Sequence, residues 1–521
     1  MRQIITLIFC IILIGCATTK NELPHTNTFM KLPEEVREIV LTNRQSVFVQ
    51  VDDEVFLNKM KYHTPLTVER DNEIAEILRN SQYPNFTENN LIVPETLTHN
   101  EIREEIDFLF DLLRYAYGPY TYFGGDEAFG RVKHEILSQL NEMPDPMPTK
   151  DYVIKLLHPN LHTIIKDNHS NIILDLSTFE MLSLGVDYVF YSNEDIIFRK
   201  VNNSFITEMN GKEYIKIFQE HRVYYSWGPY IYPSLNANGE LVWILGKEVD
   251  SKEDYINETI HLIAVESSEG ITKEVKLYRA SNSYRRELSD EIFSISRIND
   301  IPILRNSVHF GNVEVLNEFV KTGEMFSKEP ILILDIRSHG GGTAMYGSQW
   351  IHSYTNDYPT YQHFMNSVVM NKTVEENFVR MFVALGEQEN FFHEHWASQG
   401  MSKSKEQFWY MSYSGKINHV KNDNLLIVLM DRYNVSSGEL FVDQLRQVDN
   451  VLFVGEPTSG CLISDSSLLY CLPISKTLIT IGPGLKIRTD FSAFEGYGFK
   501  PDLWVAPGES LERVLKFIER K

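Results

Sequence analysis

Leu425-Leu426-Ile427-Val428-Leu429-Met430-Asp431-Arg432-Tyr433-Asn434-Val435-Ser436-Ser437-Gly438-Glu439 is the stretch on which the fold turns. Its six leading apolar residues have the length of a buried strand. After it, Leu440, Phe441, Leu445 and Val448 recur at helical spacing. Ser436 therefore falls on a strand-to-helix turn. There a hydroxyl stands clear of the sheet, and the unpaired N–H groups of the first helical turn face whatever that hydroxyl approaches. Two readings are open at this point. Ser436 is an N-cap with Glu439 closing a capping box, or it is a nucleophile.

Ile331-Leu332-Ile333-Leu334-Asp335-Ile336 is a second run of buried-strand type, and it ends in Arg337-Ser338-His339-Gly340-Gly341-Gly342. Consecutive glycines allow positive φ and close backbone approach, so their N–H groups can face a ligand oxygen. Val451-Leu452-Phe453-Val454-Gly455 is a third strand, running into Glu456-Pro457-Thr458-Ser459-Gly460-Cys461. Phe494-Glu495-Gly496-Tyr497-Gly498-Phe499-Lys500-Pro501-Asp502 then leads to a closing helix near Leu511 to Ile518. Alternating strands and helices predict an α/β domain over 291–521. Residues 343–423 form an aromatic-rich excursion, with Trp350, Phe391, Phe392, Trp396 and Trp409, longer than ordinary connections and expected to line or cover a cleft. His393-Glu394-His395 within it offers too few ligands for a metal site. The sequence holds no His-Glu-x-x-His, phosphate loop or dinucleotide fingerprint, so neither metal nor organic cofactor is expected.

Upstream, Thr98-His99-Asn100-Glu101 reads as a capping box opening a helix with Ile102, Ile106, Leu109, Leu113 and Tyr117 on one face. Further helices are expected over 126–141 and 151–158, giving a helical domain over 98–177. It closes on Asp167-Asn168-His169-Ser170, just before the strand Ile172-Ile173-Leu174. Residues 178–290 change to short strands and turns, such as Asn238-Gly239 before Leu241 to Leu245, a β-rich middle module. Residues 17–97, broken by Pro33, Pro65, Pro84 and Pro94, read as a tether and irregular leading segment packed on the later domains.

A chain of 521 residues has room for two or three domains. The net charge of −22 and the lack of a basic stripe argue against nucleic acid as a partner. Arg2 and the apolar run Ile4 to Ile14 make residues 1–16 a secretory signal too short to span a membrane. Leu13-Ile14-Gly15-Cys16 resembles a bacterial lipobox, implying that Cys16 is lipidated and anchors the protein to a membrane of the cell envelope. Of four cysteines, Cys461 and Cys471 would then remain, either as a disulfide or as two buried apolar thiols.

Four segments in order resemble the tail-specific, or C-terminal processing, serine peptidase family, which includes the tricorn core peptidases. Asp335-Ile336-Arg337-Ser338-His339-Gly340-Gly341 is similar to its oxyanion segment, and Ser436-Ser437-Gly438-Glu439 to its nucleophile turn. Gly455-Glu456-Pro457-Thr458-Ser459-Gly460 is similar to its Gly-Glu-x-Thr-x-Gly, and Glu495 to Asp502 to its closing Glu-x-x-Gly-x-x-Pro-Asp. The resemblance implies a crotonase/ClpP-like catalytic domain over 291–521, a degenerate PDZ-like middle module (with Ile206 to Gly211 similar to a family strand and turn), and a protein or peptide substrate. It departs at Cys461, where the processing peptidases carry the lysine that serves as base, so a Ser-Lys dyad is excluded. The tricorn-like branch instead implies Ser436 as nucleophile, His169 as base, Glu495 as orienting carboxylate, and the N–H groups of Gly341 and Ser437 as oxyanion hole. Ser170 is a candidate bridging hydroxyl between His169 and Glu495, and His339 an alternative base. The rival reading is a catalytically inactive member that binds peptides or other ligands on the same scaffold.

Overall fold

The computed structural model describes residues 32–45, 66–84, 91–175, 180–186, 188–201, 204–207, 214–219, 222–225, 231–250, 259–267, 272–279, 291–359, 364–384, 409–412, 419–464, 467–488 and 494–520. Cys16, His393-Glu394-His395 and most of Ile206 to Gly211 lie outside them. Six strands build the central sheet: β1 (Phe293–Ile298), β2 (Ile301–Asn306), β3 (Ile331–Asp335), β4 (Leu425–Met430), β5 (Val451–Gly455) and β6 (Leu503–Trp504), laid side by side in chain order. The first pair is antiparallel and the rest are parallel, with Ile331 opposite Leu425, Leu426 opposite Val451 and Val454 opposite Leu503.

Each parallel strand is added on the same side as the last. Right-handed crossovers then place the intervening helices, Val313–Phe326, Met345–Thr355 and Ser437–Leu445, on one face. The two-residue alternation of the strands follows from this. Leu332, Leu334, Leu426, Val428, Val451 and Phe453 meet Phe319, Trp350 and Phe441 in one core. Ile333, Leu425, Ile427, Leu429, Leu452 and Val454 turn to the other face. That second face is covered by helices Glu34–Gln45 and Pro507–Glu519 through Val36, Val40, Val514 and Phe517.

The leading segment is therefore more regular than its prolines suggest. Pro33 precedes the first helix, where no N–H is needed, and its carbonyl accepts the first helical bond from Arg37. The buried Arg44 guanidinium donates to both carboxylate oxygens of Asp502, which also accepts from Asn43 Nδ2 and the Phe453 N–H. The closing Pro-Asp is thus the anchor of this helix.

The expected helical domain has no core of its own. Helix His99–Ala116, opened by the Thr98–Glu101 capping box, shares one cluster with Val374 and Phe378 of helix Lys372–Ala384 and with Leu468, Ile479 and Ile481. The third helical segment does not stop near residue 158. A wide π turn over Tyr152–Leu157 leads into His158–Ile164, whose Pro159 occupies a first-turn position that needs no N–H bond.

Strand Asn171–Asp175 pairs antiparallel with Leu478–Ile481, within a small sheet that also holds 468–471 and 180–183. This pairing carries the loop containing His169 onto the domain that holds Ser436. Residues 188–279 contribute an eight-stranded sheet, antiparallel throughout its pairings, without a helix among the described residues.

Candidate active site

Ser436 occupies the junction between β4 and helix Ser437–Leu445 with φ 53° and ψ −116°, a conformation that L residues rarely adopt. Its hydroxyl makes no cap bond to the helix. Glu439 closes no capping box either: its carboxylate accepts from Thr458 Oγ1 (2.6 Å), Gly460 N–H (2.6 Å) and Cys461 N–H (2.7 Å). The N-cap reading is thereby set aside. Glu439 is a clamp between the Ser436 turn and the Thr458–Cys461 loop, and burial pushes its carboxyl up to about 7.

The glycine loop after β3 lies against the serine. A side chain on Gly341 (φ 88°) would meet Ser436 Cβ at 3.2 Å, and one on Gly342 (φ 122°) would meet the His309 carbonyl carbon at 2.4 Å. Only glycine fits this approach. Several bonds hold the loop. The Val435 N–H donates to the His339 carbonyl (3.1 Å), and Asn434 Nδ2 donates to the Ile336 carbonyl (2.6 Å). Asp431 accepts from the Ser338 N–H (2.8 Å). Arg337 pairs with Asp335 and donates to the Pro507 carbonyl, which fixes the end of β3 on the closing helix.

His339 is fully buried, and its Nδ1 accepts the Gly341 N–H at 3.2 Å. Its ring stands edge-on to the buried His309 at 4.4 Å. Burial holds it neutral down to about 3. With its accepting nitrogen engaged and protonation disfavoured, His339 is ill suited to take a proton from Ser436. The same bond shows where the Gly341 N–H points: toward His339.

His169 is half-buried in the loop before strand Asn171–Asp175. Asp167, fully buried, shapes that loop by accepting from the His169 N–H (3.0 Å), Ser170 Oγ (2.7 Å), Ser464 Oγ (2.7 Å) and Tyr117 OH (3.0 Å). Ser170 is therefore bonded to Asp167, and the bridging role expected for it toward Glu495 is corrected. Glu495 reaches the loop directly. Its Oε1 accepts the Asn168 N–H at 2.7 Å, while its Oε2 accepts the N–H groups of Leu462 (3.0 Å) and Ile463 (2.8 Å). Asn168 Nδ2 in turn donates to the Gly460 carbonyl (3.0 Å). Burial first, and the Asp167 charge second, hold the Glu495 carboxyl well above the usual carboxylate range.

Cys461 lies in the loop that Glu439 clamps, and the Ser436 main chain slightly offsets the upward push on its thiol. Burial, then the charges of Glu495, Glu439 and Asp167, push its thiol well above the ordinary range, so it is a neutral thiol and no base. Cys461 and Cys471 are both free and buried. The possible disulfide is corrected: Cys461 belongs to the site, whereas Cys471 packs with Leu469 and Leu478 in a separate cluster.

The structure thus brings Ser436, Ser437, Gly341, Cys461 and Glu439 together. It ties Glu495 to the His169 loop through main chain. Asp167, Tyr117 and Ser464 carry no local signal of a role, because their meeting depends on segments far apart in the chain.

The site is thus a serine with positive φ at a strand–helix turn, with a glycine loop packed against it. The profile of peptidase family S41 matches residues 309–505, and this part of the chain is similar to that family of serine-type peptidases. No curated protein matches it in sequence. Among solved structures it is similar to mature CPAF complexed with lactacystin (13% identity, TM-score 0.41, covering 81% of this chain and 97% of that one). It is also similar to the photosystem II D1 C-terminal processing protease (12%, 0.33, 80% and 97%) and the tricorn protease (13%, 0.35, 81% and 37%). These scores fall below 0.5, and the likeness to the family rests on the match over residues 309–505.

Proposed function

We propose that the protein is a serine endopeptidase that cleaves protein or peptide substrates through an acyl-enzyme. The observation that carries this is the Ser436 junction: positive φ, a hydroxyl spared from capping, and Gly341 packed on its Cβ. Ser436 Oγ attacks the scissile carbonyl carbon while His169 accepts its proton. The tetrahedral oxyanion is held by the N–H groups of Gly341 and Ser437, the former exchanging its long bond to His339 for the charged oxygen. Collapse breaks the C–N bond, and the amine leaves with the proton from His169. A water molecule then repeats the sequence to release the acid. Glu495 acts as a positioning group, holding His169 through the Asn168 main chain.

The sheet with its strands in chain order and its crossover helices on one face supports a crotonase/ClpP-like catalytic domain. The antiparallel sheet of 188–279 would serve in place of a PDZ-like module, pairing an extended peptide at an edge such as Arg222–Tyr225.

A biotinylated fluorophosphonate tests the activated serine. Wild type is expected to label and His169→Ala to lose at least about 99% of the labelling rate, in keeping with removal of a general base, while His339→Asn still labels. An unlabelled wild type, or His169→Ala labelling at the wild-type rate, would count against the assignment.

We further propose export and diacylation of Cys16, with the protein anchored to a bacterial envelope membrane, on the strength of Arg2, the apolar run Ile4 to Ile14 and Leu13-Ile14-Gly15-Cys16. No helix among the described residues is long and apolar enough to cross a membrane. Radioactive palmitate is expected to label the wild type and not Cys16→Ala. Equal labelling of both would remove the anchor.

A further inference from the structure

The glycine loop and the serine turn meet with little slack. A side chain on Gly438, in the first turn of the helix after Ser436, would meet His339 Nδ1 at 2.6 Å, and one on Gly341 would meet Ser436 Cβ at 3.2 Å. The direction of each N–H along Ser338–Gly341 is set by the acceptor that takes it. The Ile336 carbonyl takes the His339 N–H (3.1 Å), the Ser307 carbonyl the Gly340 N–H (2.9 Å) and His339 Nδ1 the Gly341 N–H (3.2 Å). The remaining acceptor comes from the serine turn. Asp431 Oδ1 accepts the Ser338 N–H at 2.8 Å and the Tyr433 N–H at 3.0 Å, and Ser338 Oγ lies 3.3 Å from Asp431 Oδ2.

Two costs meet in this contact. Ser338 has φ 60°, a left-handed conformation that a residue with a side chain seldom takes. Asp431 is 1% exposed, and burial, partly offset by the two N–H groups it accepts, pushes its carboxyl up to about 6. A strained residue bonded to a buried acid weakens the fold at both ends of the bond, and outliers of this kind gather at functional sites. The bond secures the start of the glycine loop. With Ser338 held at positive φ, the His339 carbonyl accepts the N–H of Val435, the residue before the nucleophile, and Gly341 is delivered against Ser436.

We propose that Asp431 is a positioning residue for the hydrolytic reaction: its carboxylate fixes Ser338 at positive φ and thereby places the Gly341 N–H beside Ser436, where the oxyanion forms. The proposal rests on the peptidase reading above, and its test separates the two. Asp431→Asn keeps an acceptor oxygen and the shape of the acid, whereas Asp431→Ala removes the acceptor. On a cleaved peptide, Asp431→Ala is expected to lower kcat by about 100-fold or more, the scale of a lost oxyanion donor, with KM within about threefold of wild type. Asp431→Asn is expected to stay within about tenfold of the wild-type kcat, roughly one order of magnitude, because its amide oxygen still accepts. Hydrogen exchange read by mass spectrometry follows the loop without any substrate. Exchange over 337–343 is expected to rise in Asp431→Ala and not in Asp431→Asn. Should Asp431→Ala fold poorly, Ser338→Gly relieves the strain at φ 60°, and the double variant is expected to fold with the same fall in kcat. An unchanged kcat in Asp431→Ala, a fall in Asp431→Asn as deep as in Asp431→Ala, or a change carried by KM alone overturns the role even if peptides are cut. A wild type that cuts no peptide overturns the peptidase reading, and unchanged exchange in Asp431→Ala then overturns the hold on the loop as well.

Discussion

Ser436→Ala is expected to lower kcat/KM on a cleaved peptide by about 10⁴-fold or more, the usual cost of removing a nucleophile, with folding stability within about 1 kcal/mol of wild type. The hydroxyl makes no cap bond and the residue is half-buried, so the fold loses little with it. Ser436→Gly extends the argument. At φ 53° and ψ −116° a glycine is freed of steric strain that serine and alanine share. The inactive glycine variant should therefore be as stable as wild type, or more stable by up to about 1 kcal/mol, the scale of strain stored at such positions. Urea denaturation of the three proteins checks this. A glycine variant clearly less stable than alanine would show that the backbone is held for some purpose other than presenting the hydroxyl.

Glu439→Ala is expected to destabilise the protein by about 3 kcal/mol at pH 8, because three donors (Thr458 Oγ1 and the N–H groups of Gly460 and Cys461) lose their buried acceptor together. The loss should be larger at pH 5. The Glu439 carboxyl is raised to about 7 in the folded protein from an ordinary 4.5. Folding therefore takes up a proton between those values. The stability it contributes is fully present below about pH 4.5 and is lost as pH rises through 7, amounting to about 3 kcal/mol at 1.4 kcal/mol per unit. The variant lacks this contribution, so its stability should vary less over the same range. Asp431, raised to about 6, titrates in both proteins and cancels in the difference. Urea midpoints at pH 5 and pH 8 provide the measurement. An equal loss at both, or one below about 1 kcal/mol, would show that Glu439 is not the clamp. Activity should fall as well, since Cys461 and the Thr458–Gly460 loop are held beside Ser436 through this carboxylate.

Local patterning made a good part of this molecule legible in the sequence. The apolar runs at 331–336, 425–430 and 451–455, each followed by helical spacing or turn residues, define three parallel strands, because strands buried on both faces must be apolar throughout. The Thr98–Glu101 box marked its helix start, since capping is satisfied within four residues. The serine turn and the glycine loop were equally visible, being local conformational demands. Tertiary structure decided what depends on distant partners. Glu439 had the spacing of a capping residue, yet its carboxylate crosses to Thr458, Gly460 and Cys461, where three buried donors outcompete one local bond. Ser170 had the place of a bridging hydroxyl, yet Asp167 takes it, and Glu495 reaches the histidine loop through the Asn168 N–H. Sequence spacing says which groups are available. For Glu439 the parallel pairing of 425–430 with 451–455 brings its donors across; for the histidine loop it is the antiparallel pairing of 171–175 with 478–481, segments some three hundred residues apart that no local pattern joins.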